Sequence, residues 1–404
     1  MNQPRFLLAA MLAALAAAFA PARLAAQSPL GSNTLPLAGQ WRFQMDRDDV
    51  GVAAKWFNQD LTDKIQLPGI LQGQGYGDDI SVDTPWVASA RLSSQWWNSQ
   101  PEGVRAKYSQ PGHVEVPFLS QPAKHYLGVA WYQRDITIPD SWKGQHVTLY
   151  LERPHWQTTA YVDDHQYTYN DSLVAPHVTD LGTLTPGKHR LTIRIDNRTM
   201  LPDDRQHLLD GHAVSDSLGA TWNGIAGRIE LRATPPVWID DAEVFPDVAK
   251  KIAHIKVKIG NATGQAGSGT LQGIWDGDQE DVAGMRFYGA GSVDYTNAKV
   301  TWNAAGGTAE LDVPLGKSAV AWDEFHPALQ RVSLILKNGK MEDKRAVSFG
   351  LREVSTRGHD ILLNGQPINL RTTHDGGEFP LTGYPSMDVA AWRKIIETCK
   401  AYGL

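Results

Sequence analysis

The sequence carries a single cysteine, Cys399, in 404 residues, so no internal disulfide framework can hold it together. Its 38 Lys and Arg are outnumbered by 44 Asp and Glu; a net charge of -6 leaves no basic stripe, and nucleic acid is not an expected partner. There is no GxSxG elbow and no P-loop sequence, which removes the usual serine-hydrolase and nucleotide-binding readings. His113, His125, His146, His155 and His165 are scattered without metal-ligand spacing, so neither zinc nor any cofactor is expected. Asp78-Asp79 and Asp203-Asp204 read as solvated loop charges rather than calcium or magnesium sites. After the N-terminus no apolar run approaches the ~20 residues that a membrane-spanning helix needs.

What is present begins with Arg5, an Ala/Leu-dominated stretch from Phe6 to Ala20, and the small-residue segment Ala20 to Gln27. That order is a secretory signal peptide, assigned to residues 1–26, with cleavage after Ala22 or Ala26. The expected location is therefore secreted or periplasmic. The remainder, 42% hydrophobic and 20% charged, has ordinary soluble composition and length for two or three domains.

From Leu35 to about Ala233, short alternating runs such as AWYQRDITIP, HVTLYLER, QTTAYVDD, HRLTIRID and GRIELRA are separated by turn clusters. Strands at this spacing predict a β-sandwich over 33–235. Nine of the 14 tryptophans lie between Trp41 and Trp222, which suggests an aromatic-lined face. Thr234-Pro235-Pro236 interrupts ladder hydrogen bonding, and a second sandwich is expected over 236–349. Beyond it, Asn364-Gly365 between alternating apolar residues predicts a type I′ hairpin, and Ile368 to Thr373 reads as a strand aimed at a buried sheet. Asp388 is placed to cap a helix whose apolar face is Val389, Trp392, Ile395, Ile396, Cys399 and Tyr402, with Gly403 at its end. Cys399 then reads as a small core residue. A parallel strand followed by one helix needs neighbouring strands. Residues 350–404 therefore read as the start of a domain that these 404 residues do not complete, and their packing is expected to be poor.

The order of LAGQWRFQMDRDDVG, LPG, GVAWYQRDITIPDSWKGQHVTLYLE, YVDDHQ, NGIAGRIEL and FGLREV with LLNGQPINLR resembles glycoside hydrolase family 2, which includes β-galactosidases, β-glucuronidases and β-mannosidases. The resemblance implies a mainly β chain: a jelly-roll sugar-binding domain, an immunoglobulin-like sandwich, and the first β-α unit of a (β/α)8 catalytic barrel. It implies a retaining exo-β-glycosidase, most similar to a β-galactosidase. Such enzymes use an acid/base glutamate and a nucleophilic glutamate roughly 5–5.5 Å apart. Both belong to late barrel strands in this family, and every glutamate here up to Glu397 precedes or lies within the first barrel helix, so no catalytic residue is assigned.

Residues expected to contact substrate follow from the same resemblance. Arg371, His374 and Asp375 would stand at the barrel mouth after its first strand, although Thr372 replaces the glycine usual in relatives. Asp216, in VSDSLGATWNGI, occupies the position of an aspartate that holds a sugar hydroxyl. Trp96 or its neighbour Trp97 would stack on a pyranose, but not both, since adjacent strand residues face opposite ways. The competing use of each is structural: Arg371 as a loop anchor, Asp216 as a loop cap, either tryptophan as core. The partners implied are a carbohydrate substrate and either further copies of the chain or a complementing C-terminal chain. The rival reading is a non-catalytic carbohydrate-binding module or a split-gene subunit.

Overall fold

The computed structural model describes residues 33–81, 83–85, 98–110, 113–114, 121–198, 221–280, 286–288, 294–373, 379 and 381–404. The expected signal peptide, Trp96, Trp97, Asp216, His374 and Asp375 lie outside them.

The chain is mainly β, and every strand pairing among the described residues is antiparallel. Two sheets face each other in the first sandwich. One runs Thr34–Pro36, Gly224–Thr234, His146–His155, His177–Gly182, with Gly69–Ile70 also pairing with Gly224–Thr234. The other runs His165–Gln166, Gln157–Val162, Gly187–Asp196, Val129–Ile138, Gly39–Asp46, Asp63–Leu67. Strand side chains alternate between faces, so Ala130, Tyr132, Ile136 and Ile138 point inward, meeting Val147, Leu149, Leu151, Ile229 and Leu231 of the opposing sheet in one buried cluster.

The opposite face of the Val129–Ile138 strand is not open. Trp131 and Val129 join Leu61 and Tyr161 in a smaller core that Trp56 and Phe57 cover, with Phe57 stacked on Tyr161 at 4.7 Å. The aromatic-lined face expected from tryptophan density is, for Trp131, a covered one. Its indole donates to buried Asp46 at 2.9 Å.

The strand Gly224–Thr234 stops at Pro235-Pro236, and the next begins at Val237. From there a second core forms between Val237–Asp247, Ile252–Asn261, Gly307–Pro314 and a facing six-stranded sheet built on Leu329–Asn338 and Gly267–Trp275. Ile255, Val257, Leu311, Leu271, Trp275, Val332 and Leu334 fill it. At the junction, the His146 ring of the first sandwich stacks on Trp238 of the second at 4.3 Å.

Beyond Gly350, Leu351 still belongs to the second core. The expected hairpin forms: Asp360–Leu363 turns through Asn364 (φ 51°) and Gly365 (φ 78°) into Gln366–Pro367. Asn364 ties it to the sandwich by donating to the Trp322 carbonyl at 2.9 Å. The strand expected over Ile368–Thr373 does not form; those residues carry no ladder, and Leu370 is 64% exposed. The physical reason is pairing: the Ile368 amide donates to the Ile361 carbonyl at 3.0 Å, but among the described residues no strand pairs with the residues after it. The helix forms over Val389–Ala401, capped by Asp388, whose carboxylate accepts from the Ala390 amide. It closes through Gly403 (φ 77°), with Gly403 and Leu404 amides donating to the Lys400 and Cys399 carbonyls. None of its residues is buried, so Cys399, half-buried, is not the core residue expected. Poor packing thus holds for this helix and fails for Leu351, Leu362 and Leu363, which are buried.

Candidate functional site

Of the residues expected to touch substrate, only Arg371 is described. It is exposed, in coil, and its guanidinium lies beside the helix end: a Cβ placed on Gly403 would stand 3.1 Å from its Nη1. A cation there faces the negative end of the helix dipole, which is a loop-anchoring setting. Asp216, His374, Asp375 and Trp96 lie in the segments 199–220, 374–378 and 86–97, outside the described residues.

The residues bordering two of those segments come together. Asn197 and Thr221–Asn223 flank 199–220; Phe379 to Tyr384 follow 374–378; Gln121 follows a further segment, 115–120. Thr221, Asn223 and Tyr384 meet at the short 3-10 turn Gln72–Gln74, and Gln121 lies against Gly383, next to Tyr384. Gln72 is buried, donating through Nε2 to the carbonyls of Thr221 (3.2 Å) and Tyr126 (3.4 Å) and accepting from the Asn223 amide (3.2 Å). Asn197 donates to the carbonyls of Tyr126 (2.8 Å) and Trp222 (3.1 Å) and accepts from the Gly128 amide (2.8 Å). Asn223 donates to the carbonyls of Gly128 and Ile195 and accepts from the Tyr132 hydroxyl at 2.7 Å. Tyr384 reaches the same turn, donating to the Gly73 carbonyl at 3.2 Å, and Gly383 packs against the Gln121 carbonyl.

The network is built of neutral groups kept neutral. Burial pushes the Tyr132 phenol well above its ordinary pKa, and burial does the same to Tyr126, so both remain donors. His155 donates through Nδ1 to the Trp222 carbonyl at 2.7 Å, and the two rings stack at 4.7 Å. Trp222 is half-buried, an aromatic plate beside the segment that carries Asp216. From sequence, Trp222 and Gln72 have no assigned role and His155 is weighed only as a metal ligand; the signals for the first two are their places within TWNGI and just after the LPG motif.

Charge sits just outside this cluster. Arg198, at the border of 199–220, pairs with buried Asp196 (2.6 Å) and with Asp49 (2.6 Å). Hydrogen bonding to Asp196 holds Arg198 above the usual guanidinium range. At Asp49 burial works the other way, but hydrogen bonds from Arg194 and Arg198 outweigh it and hold the carboxyl low. Two surface depressions lie elsewhere. One of about 470 Å³ is lined by Asp135, Asp163, Lys188 and His189, and one of about 340 Å³, between the sandwiches, by Gln145, Arg232, Asp343 and Lys344. Arg371, the described member of the expected site, lines neither.

No protein-family model matches the chain. Curated proteins do. A β-glucuronidase of Paenibacillus borealis is 21% identical over 348 residues, covering 82% of this chain and 47% of its own length. A β-galactosidase of Aeromonas hydrophila subsp. hydrophila is 24% identical over 352 residues, covering 84% of this chain and 30% of itself. Among solved structures, a β-glucuronidase from Ruminococcus gnavus superposes with TM-score 0.55 at 17% identity over 84% of this chain and 48% of that one. A glycosyl hydrolase family 2 member from Bacteroides cellulosilyticus gives 0.56 at 15% identity, over 84% and 39%. The chain therefore spans less than half the length of these curated relatives. Across its two sandwiches the chain is thus similar in sequence to β-glucuronidases and a β-galactosidase, and in fold to a family 2 glycosyl hydrolase.

Proposed function

We propose that these 404 residues are the sugar-binding front of an exported, retaining exo-β-glycosidase, acting on a β-linked glucuronide or galactoside. The preference for galactose read from the motifs is widened here, because the curated relatives include β-glucuronidases as well as a β-galactosidase. Residues 350–404 open the catalytic barrel, and the two glutamates come from polypeptide outside these residues, in the same chain or in a complementing one. The chain by itself then binds sugar without cleaving it.

The observation that supports this reading is the convergence at Gln72–Gly73. Thr221–Asn223, at the border of the segment carrying Asp216, and Tyr384, six residues past the segment carrying His374 and Asp375, meet across one turn. A carboxylate from one side accepts hydrogen bonds from vicinal hydroxyls. The half-buried Trp222 offers an apolar plate for a pyranose face. Titration of the purified chain with D-glucuronic acid and with galactose, followed by ligand-observed NMR, tests it. One of the two sugars should bind the wild type, and Asp216→Ala should weaken that binding by about tenfold, as loss of a charged hydrogen-bond acceptor implies. No binding of either sugar would refute the reading, and turnover of an aryl β-glycoside by the chain alone would refute the placement of the glutamates.

A further inference from the structure

We propose that Gln72 and Gly73 form a joint that holds the Tyr384 turn and the base of the Asp216-bearing segment in one register, with Gln72 and Tyr384 as its positioning residues. The joint is two glycine contacts facing opposite ways. On the sandwich side, Gly73 lies under the Tyr384 ring, so closely that a Cβ there would stand 2.5 Å from Cζ. On the other side, Gly383 adopts φ 76° and presses on the backbone of Gln121 and Pro122, leaving no room for a side chain. Each partner supplies the gap that the other fills, and the Tyr384 hydroxyl adds a hydrogen bond to the Gly73 carbonyl at 3.2 Å.

Gly73 cannot shift alone. It is the middle residue of the three-residue turn Gln72–Gln74, and its neighbours on the N-terminal side bracket Asn223 from both ends. The Leu71 amide donates to the Asn223 carbonyl at 2.9 Å, and the Asn223 amide donates to Gln72 Oε1 at 3.2 Å. Gln72 Nε2 adds the Thr221 carbonyl. Displacement at Tyr384 therefore reaches Thr221–Asn223 through one covalent step and three hydrogen bonds, all within a buried polar cluster where a half-satisfied group is costly. Neither Gln72 nor Tyr384 needs to touch substrate for this. Their consequence for sugar affinity rests on the reading proposed above.

Amide hydrogen exchange on the 404-residue chain tests the joint without any ligand. Tyr384→Ala removes only a half-buried side chain and leaves both cores intact. It should speed exchange roughly tenfold in peptides covering 379–388 and, through the joint, in those covering 221–226. Gly73→Ala should reproduce both changes, and Tyr384→Phe, which keeps the ring, should stay near wild type at 221–226. Faster exchange confined to 379–388 would overturn the proposal and leave a local docking contact. Sugar titration of the wild-type chain separates the two ideas. Coupled exchange with no sugar binding in wild type upholds the joint and refutes the proposed function, whereas intact sugar binding with uncoupled exchange does the reverse.

Discussion

Asn223 Nδ2 lies 3.5 Å from Asn197 Oδ1 inside the first sandwich, and these two side chains hold opposite ends of the 199–220 segment. Both are buried, Asn223 completely. Each uses an amide for what only an amide can do, donating to backbone carbonyls while accepting from a neighbour.

Asn223→Ala should therefore cost far more than a surface substitution. It strips the Tyr132 hydroxyl of its acceptor and the Gly128 and Ile195 carbonyls of a donor, all in the interior. Unsatisfied buried polar groups of this kind cost about 1–3 kcal/mol each, so a loss of about 2–4 kcal/mol is expected. Urea unfolding followed by tryptophan fluorescence measures it. Asn223→Asp should be no better, because a carboxylate would face two carbonyl oxygens. A loss below about 1 kcal/mol for the alanine variant would mean that the network is not structural.

Stability should fall on the acid side through His177. This ring is fully buried; its Nε2 donates to the Ser172 carbonyl (2.8 Å) and its Nδ1 accepts from the Thr158 hydroxyl (2.7 Å), which fixes a neutral tautomer. Burial pulls its pKa below 6.5, against smaller opposing effects from Ser172 and Asp171. A base whose folded pKa is depressed binds fewer protons folded than unfolded, so stability is lost as pH drops below about 6.5. His177→Gln keeps a donor and an acceptor without a titrating group. Its unfolding free energy should decline less steeply between pH 7 and 5 than that of wild type. Equal slopes would sink the assignment. His189 runs the other way: burial opposes it, but the hydrogen bond to Asp163 raises its pKa, so its contribution is complete in acid and lost above about pH 6.5.

Much of this fold was legible because sandwich strands announce themselves by period-two burial. HVTLYLER and HRLTIRID became His146–His155 and Gly187–Asp196, each strand containing the run that proposed it. The Asn364-Gly365 hairpin and the Asp388 cap are likewise local chemistry, fixed by positive φ and by one side-chain acceptor. The strand at Ile368–Thr373 failed because a strand's stability resides in its neighbours, and an apolar alternation cannot report whether they are there. The polar joint was invisible for a related reason. Gln72, Asn197 and Asn223 are ordinary polar residues in sequence, and only long-range folding, 149 residues between Gln72 and Thr221, makes them buried partners.

Asp343 offers a variant that should not destabilise. Its carboxylate accepts from the Ile239 amide at 2.8 Å, yet burial pushes its pKa above 3.8 despite that bond and despite Arg345. A carboxyl with a raised folded pKa binds more protons folded than unfolded, so its charge weighs against folding at neutral pH and that burden is relieved on acidification. Asp343→Asn retains an acceptor for Ile239 and removes the charge. At pH 7 it should be at least as stable as wild type in chemical denaturation, while Asp343→Ala, which leaves the amide without an acceptor, should be less stable. Clear destabilisation by the asparagine variant would show that the charge itself is needed, through Arg345.

The helix Val389–Ala401 depends on its ends to an unusual degree, because no residue in it is buried; Val389 is 70% exposed and Ile396 56%. Helices of this length are marginal in water, where nucleation is costly and tertiary packing normally supplies the stability. Here local devices do so. Asp388 accepts from the Ala390 amide at 3.0 Å, Trp392 donates to the Ser386 carbonyl at 2.9 Å, and its ring meets Phe379 edge-on at 5.9 Å. Removing the cap with Asp388→Ala should cost the helix about 1 kcal/mol, and amide exchange over 389–395 should speed by roughly fivefold. Unfolding of the two sandwiches should not move, since neither core uses the helix. If exchange over 389–395 were unchanged in the variant, something other than the cap would have to hold the first turn, and cover over the apolar face in solution would be the explanation to pursue.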